Sequence, residues 1–170
     1  MTMKLFGAIL VFLGCGCIGF MMVAAHRREE GALRQMLTAL DFMECELQYQ
    51  LTPLPQLCKK TSENSDGCVQ KVLLALSEEL DRQIAPDVGT CMHAALQETP
   101  KIPQLLRENF IQLGGFLGRF DLSGQIRGIE TVRHLVGQDL ERILVNKDAR
   151  LRCYETLGLC AGAALVVLLF

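Results

Sequence analysis

Uncharged apolar sequence is concentrated at the two ends of the chain, and that placement limits the possible folds more than any other feature. One run extends from Leu5 to Ala25 and the other from Thr156 to Phe170. The first holds 21 residues without a charged side chain. As a helix rising ~1.5 Å per residue it covers about 31 Å, which matches the hydrocarbon core of a bilayer. The second holds 15 such residues, about 22 Å of helix against a core of ~30 Å. It can still span if its terminal carboxylate lies in the far headgroup layer and Glu155 in the near one. Gly158, Ala161, Gly162, Ala163 and Ala164 suit close helix packing in lipid. The expected organisation is an N-terminal transmembrane helix over 1–25, a helical domain over 26–154 and a C-terminal transmembrane helix over 155–170.

Two other readings of the first run compete with a span. Val23-Ala24-Ala25 resembles a signal-peptidase site behind the single basic Lys4, which would yield a secreted helical protein cleaved near Ala25. Leu13-Gly14-Cys15 brushes against a lipoprotein acylation box, with Phe12 a poor fit there. The run is long for a signal core, and His26-Arg27-Arg28 follow it directly, as at a cytoplasmic membrane surface. Arg27, Arg28 and Arg34 follow the first span; Arg142, Lys147, Arg150 and Arg152 precede the second. The positive-inside rule therefore puts the middle domain in the cytoplasm of a cell-membrane protein.

The middle carries nearly all of the 17 basic and 19 acidic side chains, which are interspersed and leave a net charge of −2. Nucleic-acid binding needs clustered Lys and Arg, often with aromatics for stacking, and this chain has neither pattern nor any Trp. Eight cysteines suggest disulfides until their positions are considered. Cys15, Cys17 and Cys160 lie in the apolar ends; Cys45, Cys58, Cys68, Cys91 and Cys153 are scattered widely. Cys91-Met92-His93 is an isolated C-x-H without a second pair, so the thiols are expected to be small apolar side chains in a reducing compartment, with no metal.

Apolar spacing in the middle has a helical period throughout. Leu33, Leu37, Leu40, Leu47 and Leu51 mark one face of a helix over Glu29 to Leu51, with Met36 and Met43 beside them. Thr52-Pro53-Leu54-Pro55 stops it, with Thr52 expected to cap the next helix and Pro53 to stand at its first position. That short helix runs to about Thr61, and a polar turn follows over Ser62 to Gly67. Val69 to Ile84 and Val88 to Gln97 are the next two helices, separated by Ala85-Pro86-Asp87, with Asp87 as the cap. Pro100 and Pro103 frame a linker before Leu105 to Leu117. The longest pattern, Gln125 to about Arg152, carries Ile126, Ile129, Val132, Val136, Leu140, Ile143 and Leu144 as its stripe. The fold class is all-α, a compact bundle of about six helices. The proline breaks argue against a membrane-anchored helical sensor built on one long antiparallel hairpin.

Catalytic patterns do not emerge. Gly114-Gly115-Phe116-Leu117-Gly118 lacks the Lys-Ser of a phosphate loop and follows a helix where a strand is required. Gly114 and Gly118, four residues apart, instead suit the close approach of another helix. His26, His93 and His134 have no neighbouring carboxylate or serine pattern, and the acids at Glu44/Glu46 and Glu78/Glu79/Asp81 sit at helix-surface spacing. An enzyme is not expected, nor a small-molecule substrate or cofactor.

Two stretches bear a family resemblance. Arg34-Gln35-Met36-Leu37-Thr38-Ala39-Leu40, with Glu44-Cys45-Glu46-Leu47-Gln48-Tyr49 and Thr52-Pro53-Leu54, resembles the opening of the stage III sporulation protein AB family. Leu113-Gly114 through Leu117-Gly118 to Asp121 and Gln125 is similar to that family's L-G-x-x-L-G-x-S-D-x-x-x-Q motif. Phe120 departs from the family's usual Ser, which would leave capping of the last helix to Asp121. The resemblance extends over the whole chain, both end segments included. It implies a helical cytoplasmic domain similar to that of type II secretion platform proteins. It also implies a place in the channel between mother cell and forespore, in the mother-cell membrane facing the forespore. The implied role is a non-catalytic platform or scaffold that meets a cytoplasmic secretion-type ATPase and other membrane subunits. The contact residues it suggests are Glu44, Glu46, Tyr49, Thr52, Pro53, Gly114, Gly118, Asp121 and Gln125. The acids are the better docking candidates among them, and the glycines and Thr52-Pro53 the more structural.

Overall fold

Leu33, Met36, Leu40, Met43 and Leu47 are all at most 5% exposed, and their alternating steps of three and four residues put them on one face of helix α1, described over 27–50. This is a shifted version of the expected stripe. Met36 and Met43 are core residues, Leu37 is half-buried, and Leu51 lies beyond the helix with its side chain in solvent. The computed structural model describes residues 27–82 and 87–169, with side chains described as far as Val145. Over those residues the chain is all-α, with α1 followed by α2 (Leu54–Glu63), α3 (Gly67–Arg82), α4 (Val88–Glu98), α5 (Gln104–Phe116) and α6 (Leu122–Leu169).

Short connections make consecutive helices neighbours, and α2 packs on α3, α3 on α4 and α4 on α5. Leu57 and Cys58 of α2, Val72, Leu73 and Leu76 of α3, Met92 and Leu96 of α4, and Leu106, Phe110 and Leu113 of α5 are all nearly inaccessible to solvent. From α6, Ile129, Val132 and Val136 complete this core. Each such side chain contributes about 1.5–3 kcal/mol by leaving water. Polar side chains that enter the core bond locally. The hydroxyls of Thr61, Ser65 and Ser77 donate to the carbonyls of Leu57, Thr61 and Leu74.

Glu29–Leu140 forms one compact unit, which contains every site discussed below; the chain from Glu141 onward belongs to a second. Asn109 on α5, 3% exposed, donates from Nδ2 to Asp139 Oδ2 at 3.0 Å and so ties α6 near the end of the first unit. Among the described residues no helix is long and apolar enough to cross a membrane. The expected N-terminal span over 1–25, the signal-cleavage reading near Ala25 and the Ala85-Pro86 break lie outside the described residues. So do the side chains of the expected span over 155–170, whose backbone as far as Leu169 belongs to α6.

Candidate functional site

Helix α1 ends at Gln50, and the chain turns through Leu51, Thr52 and Pro53 into α2. The sequence places Thr52 as the cap of α2, but Pro53 occupies that position, extended at ψ 143°, and the proline in the first turn is Pro55. No side chain caps the helix. Thr52 is 8% exposed, and its hydroxyl turns back to α1, where Oγ1 donates to Glu46 Oε2 at 2.8 Å. The same oxygen accepts from Lys60 Nζ of α2 at 2.9 Å, and Lys60 also donates to Gln50 Oε1 at 3.2 Å. The hydrogen bond from Lys60, then that from Thr52, holds the Glu46 carboxyl below its ordinary pKa; burial pushes the other way and is outweighed. Two residues of this knot, Glu46 and Thr52, belong to the first family-like stretch, while Lys60 carries no sequence signal because it lies 14 residues from its partner.

Earlier on α1, Glu44 and Asp41 meet Arg133 of α6. Arg133 Nη1 donates to Asp41 Oδ1 at 3.0 Å and lies 3.1 Å from Glu44 Oε2. The second approach is close enough for charge attraction but is not aligned as a hydrogen bond, so Glu44 Oε2 is buried with electrostatic compensation only. Glu44 Oε1 accepts from Gln48 Nε2 at 3.3 Å. Asp41 above all raises the guanidinium pKa of Arg133 further. This staple fixes α1 against α6.

The second stretch lies where α4, α5 and the loop before α6 converge. A Cβ on Gly114 would fall 2.8 Å from the Cβ of Met92 and 3.6 Å from the Cα of Gly89, so α4 and α5 cross in near-backbone contact. Gly118 follows α5 with φ +70°, and a Cβ there would meet Val88 Cγ2 at 2.5 Å and Leu54 Cδ2 at 3.5 Å. Through Leu54 the two stretches meet. Asp121 caps α6, accepting the Gly124 N–H on Oδ1 at 3.0 Å, as expected from the absence of a serine at position 120. Gln125 Nε2 donates to the Phe120 carbonyl at 3.0 Å and closes the loop. Asp87 stands before α4 as placed from the sequence, but its carboxylate takes the Thr90 hydroxyl and accepts no backbone N–H.

The nine singled-out residues thus separate by environment. Glu46, Thr52 and Gly114 are buried and Glu44 is half-buried, all in contacts within the unit; Gln125 is half-buried against the loop. Tyr49, Pro53, Gly118 and Asp121 are exposed. Tyr49 is 80% exposed, and beside it the sequence reading missed Leu51 at 67%, Phe120 at 52% and Leu122 at 38%. Leu54, three residues past Leu51, lies against Gly118, two residues before Phe120, and so brings the end of α1 toward the start of α6. These exposed apolar side chains therefore flank that junction on both segments.

Chemically reactive arrangements are few. Burial pushes the Cys58 thiol up to about 12 and raises Cys68 and Cys91 as well, the latter also by the nearby Glu79 and Asp87 carboxylates. Cys45 is exposed, and all four are free thiols. His93 and His134 are exposed. Among the described residues no three His, Cys, Asp or Glu side chains are placed to hold a metal ion. The site therefore offers surface and shape.

Comparison with known proteins bears on the whole chain. The family model described as Stage III sporulation protein AB matches residues 4–170. Stage III sporulation protein AB of Bacillus subtilis (strain 168) is 25% identical over 173 residues, covering 98% of this chain and 99% of that relative. A solved structure of Stage III sporulation protein AB (SpoIIIAB) shares the fold with a TM-score of 0.64 at 21% identity, covering 72% of this chain and 98% of that one.

Proposed function

Because the chain belongs to the stage III sporulation protein AB family, we propose that it is a non-catalytic platform subunit of the sporulation channel between mother cell and forespore. On this reading it is held in the mother-cell membrane by its apolar ends, and its helical unit faces the cytoplasm. It couples a secretion-type ATPase to the channel's other membrane subunits. The observation that carries the reading is the junction of the two family-like stretches. Far apart in sequence, they meet through Leu54 and Gly118, with exposed Tyr49, Leu51, Phe120 and Leu122 within a few residues on either side. Large apolar side chains gathered outside a core mark contact surfaces. Within the nine residues, Tyr49, Pro53 and Asp121 are the docking candidates, while Glu44, Glu46, Thr52, Gly114, Gly118 and Gln125 shape the surface from below.

A platform that passes work from an ATPase needs a stiff path to the membrane, and α6 continues as helix past the unit as far as Leu169. Deleting the gene in its sporulating host should arrest development after engulfment. The full chain should restore spores, whereas a chain cut after Arg152, or one with a Gly-Ser insertion at Arg152, should not. Normal sporulation in the deletion strain would overturn the reading. Full rescue by the insertion variant would remove the coupling from it.

A further inference from the structure

At the α1–α2 corner a residue with a bulky side chain occupies the left-handed backbone position that glycine normally takes after a helix. Leu51 has φ +50°, the sole positive φ at a non-glycine residue among those described. A side chain in left-handed backbone crowds the following carbonyl, so glycine or asparagine normally takes this place just after a helix end. The leucine side chain is 67% exposed, so its own burial does not hold it there. Its two neighbours are tied down instead. Thr52 on one side donates to Glu46 Oε2, and Gln50 on the other accepts from Lys60, whose ammonium also sits on Glu46 Oε2. Both tethers end on one carboxylate–ammonium pair. Glu46 and Thr52 are each 8% exposed, so releasing either would leave polar atoms unpaired away from water. A strained residue persists only where its surroundings over-determine it.

We propose that Glu46, Thr52 and Lys60 form a clasp that holds Leu51 in left-handed backbone and so fixes the outward presentation of Tyr49 and Leu51. The proposal rests on the reading above only in its purpose, the display of those two side chains to a partner. The clasp itself is a statement about backbone energy and has its own test. Glu46 and Thr52 thereby become positioning residues, in place of the docking role that their position in the family-like stretch suggests for them.

The experiment is a set of thermal unfolding midpoints on the full chain in detergent, for Thr52→Val, Lys60→Met, Leu51→Gly and each clasp variant combined with Leu51→Gly. Leu51→Gly alone should raise the midpoint by about 2–4 °C, because it removes the strain. Each clasp variant alone should lower it, with part of the loss offset as Leu51 relaxes into ordinary backbone. In the Leu51→Gly background there is no strain left to relieve, so the same variants should lose about 2–4 °C more than they do alone. Additive shifts, equal in both backgrounds, would show that the corner is held by something else and would overturn the clasp. Spore counts separate this from the docking reading. If Tyr49→Ser leaves counts unchanged while the thermal coupling persists, the clasp stands and the docking surface falls. If Tyr49→Ser lowers counts while the shifts are additive, the reverse holds.

Discussion

Where α5 crosses α4, the missing side chains of Gly114 and Gly118 leave room for Met92 and Val88, and at Gly114 the two backbones also come close. At the α1–α2 corner the join is filled by a carboxylate, a hydroxyl and an ammonium bonded to one another. Both arrangements grow from family-like stretches, yet they constrain the chain in different ways. A contact made by missing side chains has no room to adjust, because its neighbours are Met92 Cβ and Val88 Cγ2, one of them fixed directly to the backbone. A contact made by hydrogen bonds tolerates small shifts, and it needs no apolar cover on its outer side. The crossing is therefore committed wholly to shape, whereas the corner leaves its apolar residues, Tyr49 and Leu51, exposed to solvent.

The comparison is sharpened most by adding carbon at the crossing. Gly118→Val should cost about 2–4 kcal/mol of folding stability, combining left-handed strain with a clash against Val88. Gly114→Ala should cost about 1–3 kcal/mol against Met92. Chemical denaturation of the two variants measures both. Losses below about 0.5 kcal/mol at Gly114 would mean that α4 can slide away, and the contrast with the corner would collapse.

That difference also explains what could be read from sequence. The glycines were legible because two of them four apart at the end of an amphipathic helix already state a helix crossing. Six helices were legible from apolar period, with boundaries within a few residues except at the end of α6, which runs on to Leu169 although the stripe stops at about Arg152. The register of α1 was harder. Leucines and methionines lie at adjacent positions along it, so stripes through Leu37 or through Met36 and Met43 fit the period alike until the partner helices choose. Leu51 dropped out of the stripe because the Thr52-Pro53 pair ends α1 just before it. The clasp and the staple stayed hidden for a different reason. Lys60 lies 14 residues from Glu46, and Arg133 lies 92 from Asp41; no local pattern records pairings that only the tertiary fold creates. Thr52 was legible as a hydroxyl at a helix start, but Glu46 competes for it and wins.

Smaller effects probe the edges of each region. Asp121→Ala removes the acceptor for the Gly124 N–H and should cost about 1 kcal/mol, read from the same denaturation curves. Phe120→Ser in the wild-type chain should leave this cap unchanged, since Asp121 already supplies it. At the corner, Tyr49→Ser removes a side chain in open solvent and should change stability by less than about 0.5 kcal/mol, while spore counts fall severalfold. A variant that left spore numbers intact would make the corner as purely structural as the crossing and erase the distinction between them.

The mildest perturbation is acid, and at the corner it acts through the Glu46 carboxylate. The folded state lowers the pKa of Glu46 below its ordinary value of 4.5, chiefly through the Lys60 and Thr52 hydrogen bonds. The unfolded chain then takes up this proton at a higher pH than the folded one does. The carboxylate's contribution is fully present above the unfolded pKa and drains away as pH falls through the lowered folded value. Other carboxylates titrate in the same range, so the informative quantity is a difference. The thermal midpoint of the wild-type chain, compared with Glu46→Gln from about pH 6 down to about pH 3, should lead at the upper end and converge at the lower. The increment should be small, because the Lys60 side chain is 41% exposed and water screens its charge. The amide that replaces the carboxylate in that variant still offers an oxygen to Thr52 and Lys60, so the curves isolate the charge and leave the shape of the corner intact. Parallel curves at every pH would mean that the clasp works through neutral hydrogen bonding, and that the corner, like the crossing, is held by geometry alone.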